Sequence, residues 1–336
     1  MRIFALVAFL LGALTYSAVG QTFVQNTMHP FSRFLYNPAA AGTKMPGTNY
    51  RSTLTLLGRQ QWLGLDGAPR TISAMYSTPL DGISSAVGAN IIRDEQGPLA
   101  TTGLNVAYAY QLKFGDDTDA PRLSFGINGG ILQKSLNGEF IYDDRGGIDP
   151  TVPLGSYSAS TVVPSLGAGI YFSSFNDKFF VGLSGQDLLE PEIEELLLTS
   201  GIGADSKVAR SFYLMGGYRF DINPDASLQP VVMVKTDGVE EPQYDVSLYW
   251  RYKPMVFGIS NRFNTKSYES VSGILGFNVL DRAFVGYSFD FTVNALSRGN
   301  DVNSHEIIVS WAFPGAGGQG RKIQDIDSVD PTDPIN

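Results

Sequence analysis

The chain has 336 residues, of which 43% are apolar and only 17% are charged. Soluble domains usually carry roughly 25% charged residues, so we expect part of the surface to face something other than water. The net charge of −9 argues against a nucleic-acid partner, and the lack of cysteine excludes disulfides, thiol nucleophiles and cysteine-ligated metals.

Residues 1–20 predict a signal peptide. Arg2 supplies a positive start, Ile3 to Leu14 form a short apolar core, and Ala18 and Gly20 are small residues of the kind found at cleavage sites. Such a signal directs export of the chain, and we expect its cleavage near Gly20-Gln21. No later stretch is apolar over the roughly 20 residues that a membrane-spanning helix requires.

Residues 21–49 precede the first predicted strand and contain Phe23, Phe31, Phe34 and Tyr36. This segment is too rich in aromatic residues for a disordered leader. Two placements remain open: a strap on the periplasmic side of a barrel wall, or a plug folded into the lumen. The candidate plug residues are Tyr36, Asn37 and Pro38.

From Tyr50 to Phe313 the sequence reads as short alternating runs separated by turn residues. In one such run, the large set is Leu104, Val106, Tyr108, Tyr110 and Leu112, and the small or polar set between them is Asn105, Ala107, Ala109 and Gln111. Period two predicts a β-strand, with the large set facing lipid and the small set facing a lumen. In a later run, Asp245 and Arg251 are expected to point inward.

Turn residues divide this region into about fourteen strands. Short connections are predicted at Asp81-Gly82, Gly115-Asp116-Asp117, Asn176-Asp177, Asn223-Pro224-Asp225, Lys253-Pro254 and Asp281-Arg282. Two connections are long, at about Leu136–Tyr157 and Asp187–Ala209. An even strand count returns both termini to the periplasm, with the short turns on that side and the long loops outside.

We therefore predict an all-β fold, in which residues 50–313 form a transmembrane antiparallel β-barrel of the outer membrane. Residues 314–336 are Gly-rich and then rich in Asp and Pro, which predicts a flexible acidic tail in the periplasm. The alternative from composition alone, a soluble all-β sandwich, gives no reason for long and short loops to segregate.

The external rim supplies the candidate partner-binding residues. The densest pattern, Arg59 to Thr71, is read either as a partner-contact rim, with Arg59 and Gln61 pointing to the lumen, or as a tight hairpin with an interfacial Trp62. The stretch Glu190–Leu198 predicts a short amphipathic helix, either packed on its own loops or in contact with a partner. The candidates are Arg59, Gln61, Trp62, Asp66, Pro69, Arg93, Asp94, Glu192, Glu195 and Leu197.

Catalytic patterns are absent from the sequence. The chain has two histidines, His29 and His305, and the neighbours of His305 in Ser304-His305-Glu306 point to the opposite strand face. There is no Gly-x-Ser-x-Gly elbow, His-Glu-x-x-His motif or P-loop. We expect no enzymatic activity, cofactor or metal.

Several stretches together resemble the PorP/SprF family of outer-membrane proteins of the Bacteroidetes type IX secretion system and gliding machinery. They occur in order along nearly the whole mature chain, although each alone is a weak signal. They are Asn37-Pro38-Ala39-Ala40-Ala41-Gly42, Arg59 to Pro69, Arg93-Asp94 with Gly97-Pro98, Lys178 to Ser184, Met215 to Phe220, Gly286 to Thr292, and Ser304 to Ile307.

The resemblance implies a non-enzymatic barrel that binds, helps export or anchors a secreted adhesin through its C-terminal sorting domain. It also implies contacts with motor and ring components in the periplasm. The acidic tail after Phe313 departs from the family pattern and puts the usual periplasmic contacts in doubt. Two other functions remain open: a transporter for a small hydrophobic solute, with the N-terminal segment as a hatch, and a general porin.

Overall fold

The computed structural model describes residues 24–48, 50–80, 82–115, 117, 119–140, 155–193, 207–238, 241–280, 282–293 and 302–313. Within them, fifteen antiparallel strand segments form one sheet. They are β1 (Ser52–Gln60), β2 (Arg70–Leu80), β3 (Ser85–Gln96), β4 (Leu99–Lys113), β5 (Arg122–Phe140), β6 (Gly155–Ser173), β7 (Phe179–Gln186), β8 (Ser211–Tyr218), β9 (Phe220–Asn223), β10 (Ala226–Thr236), β11 (Gln243–Tyr252), β12 (Met255–Phe263), β13 (Tyr268–Val279), β14 (Ala283–Thr292) and β15 (Ser304–Phe313).

The sheet closes on itself because β1 pairs with both β2 and β15. The closing seam runs from Ser52 opposite Phe313 to Gln60 opposite His305. β8 and β9 are two parts of one barrel strand, interrupted at Arg219, since both pair with β10. The described chain is therefore a closed barrel of fourteen strands, as predicted. Closure removes the unpaired sheet edges that lipid cannot solvate.

The two faces of the strands differ as the period-two pattern predicted. On β4, Val106 is 61% exposed and Tyr108 and Tyr110 are also exposed, whereas Ala107 and Ala109 between them are buried. Large apolar side chains also line the outside of the other strands, whereas their inner face holds mostly small or polar side chains and a few large ones, such as Tyr249 and Phe284, that pack against residues 24–48. An apolar outer wall and a polar interior are the arrangement of a barrel surrounded by lipid.

The connections at the outer end of the barrel range from two residues, 97–98, to the long loops that follow β5 and β7. Those on the side of the termini are short, at residues 81–84, 114–121, 174–178, 224–225, 253–254 and 280–282. This agrees with the predicted periplasmic turns. The predicted long loop at Leu136–Tyr157 is wrong at both ends, because β5 continues to Phe140 and β6 begins at Gly155. The two 19-residue strands pair with each other along their whole length. This pairing keeps in the strands polar residues that the sequence had predicted to lie in a loop.

Four sequence expectations fall outside the described residues. They are the signal peptide (residues 1–20), the first residues of the N-terminal segment, most of the predicted helix in the Asp187–Ala209 loop, and the acidic tail after Phe313. The described part of that loop is extended at its base, where Glu192 forms a bridge with Lys207.

Residues 24–48, here called the plug segment, lie inside the barrel. Their helices are one short α-helix, α1 (Arg33–Tyr36), and 3-10 turns at His29–Phe31 and Pro38–Ala40. No helix in the described residues is long and apolar enough to cross a bilayer. The segment contacts strands on all sides of the closed ring, including β15, β11, β6 and β2, which is possible only from within. The sequence left two placements open for this segment, and in the structure it lies in the lumen.

Gly126 shows how closely the plug segment approaches the wall. A Cβ atom placed on Gly126 would lie 2.3 Å from the backbone nitrogen of Ala39 and 2.5 Å from its Cα. No side chain fits there unless the backbone moves. Gly129, on the same strand but facing outward, has nothing within 4 Å of such an atom.

We predict that Gly126→Leu destabilises the folded barrel, whereas Gly129→Leu leaves it nearly unchanged. Overpacking against backbone costs about 1–3 kcal/mol, and a leucine on the outer face meets lipid. The measurement is the temperature at which the folded barrel is lost on an unboiled denaturing gel. Equal temperatures for the two variants would contradict the lumenal position of Ala39.

Candidate functional site

Six charged side chains meet inside the barrel. They form the lumenal charge cluster, consisting of Arg59, Lys235, Asp245, Arg262, Asp290 and Glu306, and each is at most 6% exposed. They come from six different strands, β1, β10, β11, β12, β14 and β15. The cluster balances three cations with three carboxylates, which a buried site requires because an unpaired charge there is very costly.

The ion pairs run around the inner wall. Arg59 Nη2 lies 2.7 Å from Asp290 Oδ2, and its Nη1 lies 3.1 Å from Glu306 Oε2. Asp245 accepts from Arg262 Nε at 2.6 Å and lies 3.0 Å from Lys235 Nζ. The strand register places two of these pairs directly opposite each other, Arg59 with Glu306 and Asp245 with Arg262.

The plug segment binds to this cluster through its backbone. The amides of Thr27 and Met28 each donate to one carboxylate oxygen of Glu306, both at 2.8 Å. The hydroxyl of Thr27 donates to Asp290 Oδ2 at 2.8 Å. Hydrogen bonds to a carboxylate are roughly twice as strong as neutral ones. The cluster is thus arranged to hold the segment in one position.

His29 adds no charge to this balance. It is fully buried beside the cluster, and burial lowers its pKa to about 4, although the neighbouring carboxylate of Asp245 acts in the opposite direction. The imidazole is therefore neutral at neutral pH. No group of three or more His, Asp or Glu among the described residues is placed to hold a metal ion.

Aromatic contacts fix the plug segment to the barrel wall near its periplasmic end. Phe31 stacks on Phe284 with ring centroids 4.0 Å apart, and it meets the edge of Tyr249 at 5.9 Å. The guanidinium of Arg33 lies 4.5 Å above the ring of Phe180. Stacked and edge-on pairs add about 0.5–1.5 kcal/mol each beyond the area they bury.

The predicted plug residues Tyr36, Asn37 and Pro38 belong to the plug segment and lie against strands β6 and β7. The backbone carbonyl of Tyr36 accepts from Ser184 Oγ at 2.8 Å. Asn37 Nδ2 donates to the carbonyl of Ile170 at 3.0 Å, while its Oδ1 accepts from the amide of Ala39. Pro38 opens the turn that presses Ala39 against the wall.

The external loop between β1 and β2, residues 61–69, is hydrogen-bonded to the connections on both sides. The amide of Leu63 donates to the carbonyl of Asn303 at 2.8 Å, and the amide of Gly97 donates to the carbonyl of Gly67 at 2.9 Å. Its own ends are joined by the amide of Gln61 and the carbonyl of Pro69 at 2.9 Å. These bonds link three neighbouring external connections into one surface, here called the loop platform.

The predicted rim residues do not all lie on that surface. Trp62, Asp66 and Pro69 belong to the loop platform, and Arg93 and Asp94 lie near the outer end of β3. Glu192 is exposed at the base of the next large loop, whereas Glu195 and Leu197 lie outside the described residues.

Arg59 and Gln61 point to the lumen as expected, but both are more than 90% buried. Arg59 belongs to the lumenal charge cluster, so it is not open to an external partner, which corrects its assignment to the rim. Sequence reasoning also missed Glu306 and Asp290 as site residues. The alternation along β14 and β15 points both side chains inward, and this pattern could have identified them.

His305 lies on the outer face of β15, where its Nδ1 is 2.7 Å from the hydroxyl of Tyr287. Ser304 and Glu306 are buried on the inner face. The three residues therefore do not converge.

Comparison with protein families matches residues 18–311 to the family described as type IX secretion system membrane protein PorP/SprF. No curated protein sequence matches the chain. Among solved structures, the toluene transporter TbuX of Ralstonia pickettii has a TM-score of 0.51 and 11% identity, covering 88% of this chain and 96% of that one. The outer membrane protein Omp33 of Acinetobacter baumannii has a TM-score of 0.44 and 11% identity, covering 80% and 100%. At this identity, the likeness to TbuX concerns the fold alone.

We predict that Glu306→Gln lowers the temperature at which the folded barrel is lost. The variant removes the charge that two plug amides and Arg59 share, and losing one partner of a buried ion pair costs about 3–5 kcal/mol. The control is Glu241→Gln, an isosteric change at an exposed external carboxylate near Lys266, which should leave that temperature unchanged. A Glu306→Gln barrel as stable as wild type would rule out the anchoring role of this carboxylate.

Proposed function

Because the chain belongs to the PorP/SprF family of type IX secretion system membrane proteins, we propose that it holds a secreted adhesin at the cell surface through the adhesin's C-terminal sorting domain. The protein is an outer-membrane component of that secretion system. In the proposal, the loop platform receives the cargo, and the periplasmic turns face the other secretion components.

The observation that carries the proposal is the occupied lumen. The plug segment fills the interior and is tied to the wall by ion-paired carboxylates, stacked rings and backbone contacts. An export path through the middle of the barrel would require all of these contacts to break. The barrel is thus better suited to hold a partner on its outer face than to pass one through its centre.

The loop platform supports the same proposal. A surface that is already ordered by its own hydrogen bonds loses little conformational entropy when a partner binds. It also exposes apolar area, since Leu63 is 54% exposed within the loop and Leu99 is 48% exposed beside it. Asp66 in the loop and Arg93 near the outer end of β3 supply charges of opposite sign. We propose that Trp62, Asp66, Pro69, Arg93 and Asp94 surround the contact.

The alternative is a transporter or porin for a small hydrophobic solute, such as the toluene that the transporter TbuX carries. Two cavities beside the plug segment measure about 30 and about 80 Å³. Both are smaller than the roughly 150 Å³ cavity that binds benzene in an engineered protein core. A steady open current in a planar bilayer would favour the porin instead.

We predict that Leu63→Asp releases the adhesin, whereas Ile83→Asp does not. Leu63 is 54% exposed on the loop platform, and Ile83 is 58% exposed in a periplasmic turn. Both variants replace an exposed aliphatic side chain with aspartate, but they do so at opposite ends of the barrel. A buried charge in an apolar contact is costly. We expect secreted proteins with a C-terminal sorting domain to move from the cell surface to the medium, as quantified by mass spectrometry of both fractions.

Equal surface retention in the Leu63→Asp and wild-type strains would contradict the loop platform as the contact. Normal retention in a strain lacking the whole protein would contradict the proposed function itself.

A further inference from the structure

A cavity of about 80 Å³ lies at the periplasmic end of the lumen, away from the loop platform. It is bounded by the end of the plug segment, the turn between β6 and β7, Arg219 and strands β10 and β11. The exposed Gly47 stands at its edge. The residues that bear its chemistry are Arg33, Lys44, Asp177, Arg219, Gln229 and Arg251. Four of the six are cations.

Three of these cations have partners. Lys44 forms an ion pair with Asp119, and Arg219 pairs with Asp221 at 3.0 Å. Arg33 donates to the hydroxyl of Tyr171 at 2.6 Å and to a backbone carbonyl of its own segment.

Arg251 differs from the other cations. It is 92% buried, and its Nε and Nη2 atoms have no hydrogen-bond partner among the described residues. The ring of Phe31 lies beside it, with its centroid 5.8 Å from Cζ of Arg251. The neighbouring charges that act on it include Arg219 and Arg33, both of the same sign. A buried guanidinium without a counter-charge is costly, and an anion bound to Nε and Nη2 would offset that cost.

The two unpartnered nitrogen atoms of Arg251, Nε and Nη2, indicate the chemical class of ligand that would bind there. Nε–H and Nη2–H lie on the same edge of the guanidinium and form the fork that binds two oxygens of a carboxylate or phosphate side by side. One water needs roughly 10–15 Å³ of space in such a cavity, so 80 Å³ holds an oxyanion with a few waters. Asp177 is the carboxylate of the lining, and it faces Arg33 and Arg122, which leaves the site positive.

We propose that this cavity binds an oxyanion, which the fork of Arg251 holds from the periplasmic side. The chemistry fits a peptide carboxylate or an inorganic phosphate equally well. One source of carboxylates is the chain itself, because Asp325, Asp327, Asp330 and Asp333 follow the last strand, which ends on the same side of the barrel.

The experiment is a thermal unfolding series on the full-length protein with inorganic phosphate or chloride at equal ionic strength. Four proteins are compared: wild type, Arg251→Gln, the control Arg282→Gln, and a variant with all four tail aspartates changed to asparagine. Arg282 is exposed at the same end of the barrel. A ligand that binds only the folded state raises its unfolding temperature.

We expect phosphate to raise the unfolding temperature of wild type and of Arg282→Gln, but not of Arg251→Gln. If wild type does not respond and the asparagine variant does, the chain's own carboxylates fill the site, which also supports the proposal. If wild type and the asparagine variant both respond, free oxyanion reaches the site. A response that persists in Arg251→Gln, one that is also lost in Arg282→Gln, or none in either wild type or the asparagine variant would overturn the proposal.

Discussion

The pairing of the last strand with the first is the constraint on which the rest of the structure depends. Within lipid every backbone polar group must be bonded inside the protein, so a sheet that spans the membrane has to close. The seam between β1 and β15 closes it and, in the same register, puts Arg59 opposite Glu306. The strands that seal the barrel therefore also supply the carboxylate that holds the plug segment through the amides of Thr27 and Met28.

This arrangement makes the wall and the plug segment depend on each other. The lumenal charge cluster is stable inside the barrel because its charges are paired and its remaining oxygens accept hydrogen bonds from the plug. Without the plug, Glu306 and Asp290 would lose these donors, and Phe284 would lose its stacked partner. A lumen built in this way favours a barrel that is closed through its centre and acts at its two ends. Among the described residues, the loop platform lies at the outer end and the cavity lined by Arg251 lies at the periplasmic end.

Sequence patterns predicted much of the fold, whereas the lumenal site forms only when the barrel closes. The alternation around Tyr108 and the turn residues predicted the strands, their inward faces and the short periplasmic turns. The loop at Leu136–Tyr157 was misread because a ladder between two long strands stabilises polar residues that have no strand preference of their own. The sequence could not predict the lumenal position of residues 24–48 or the ion pair between Arg59 and Asp290. Both depend on contacts between residues that are far apart in the chain. The alternation along a strand predicts which face a side chain occupies, but not which residue it contacts there.

The central claim, that the barrel holds secreted cargo on its outer face, is tested most directly by crosslinking in cells. A photo-crosslinking residue is placed at Asp66 on the loop platform or at Ile83 in a periplasmic turn, and the adducts are identified by mass spectrometry. The account predicts a large secreted protein with a C-terminal sorting domain crosslinked from position 66 and not from position 83. Adducts with such a protein only from position 83, or from neither position, would contradict it.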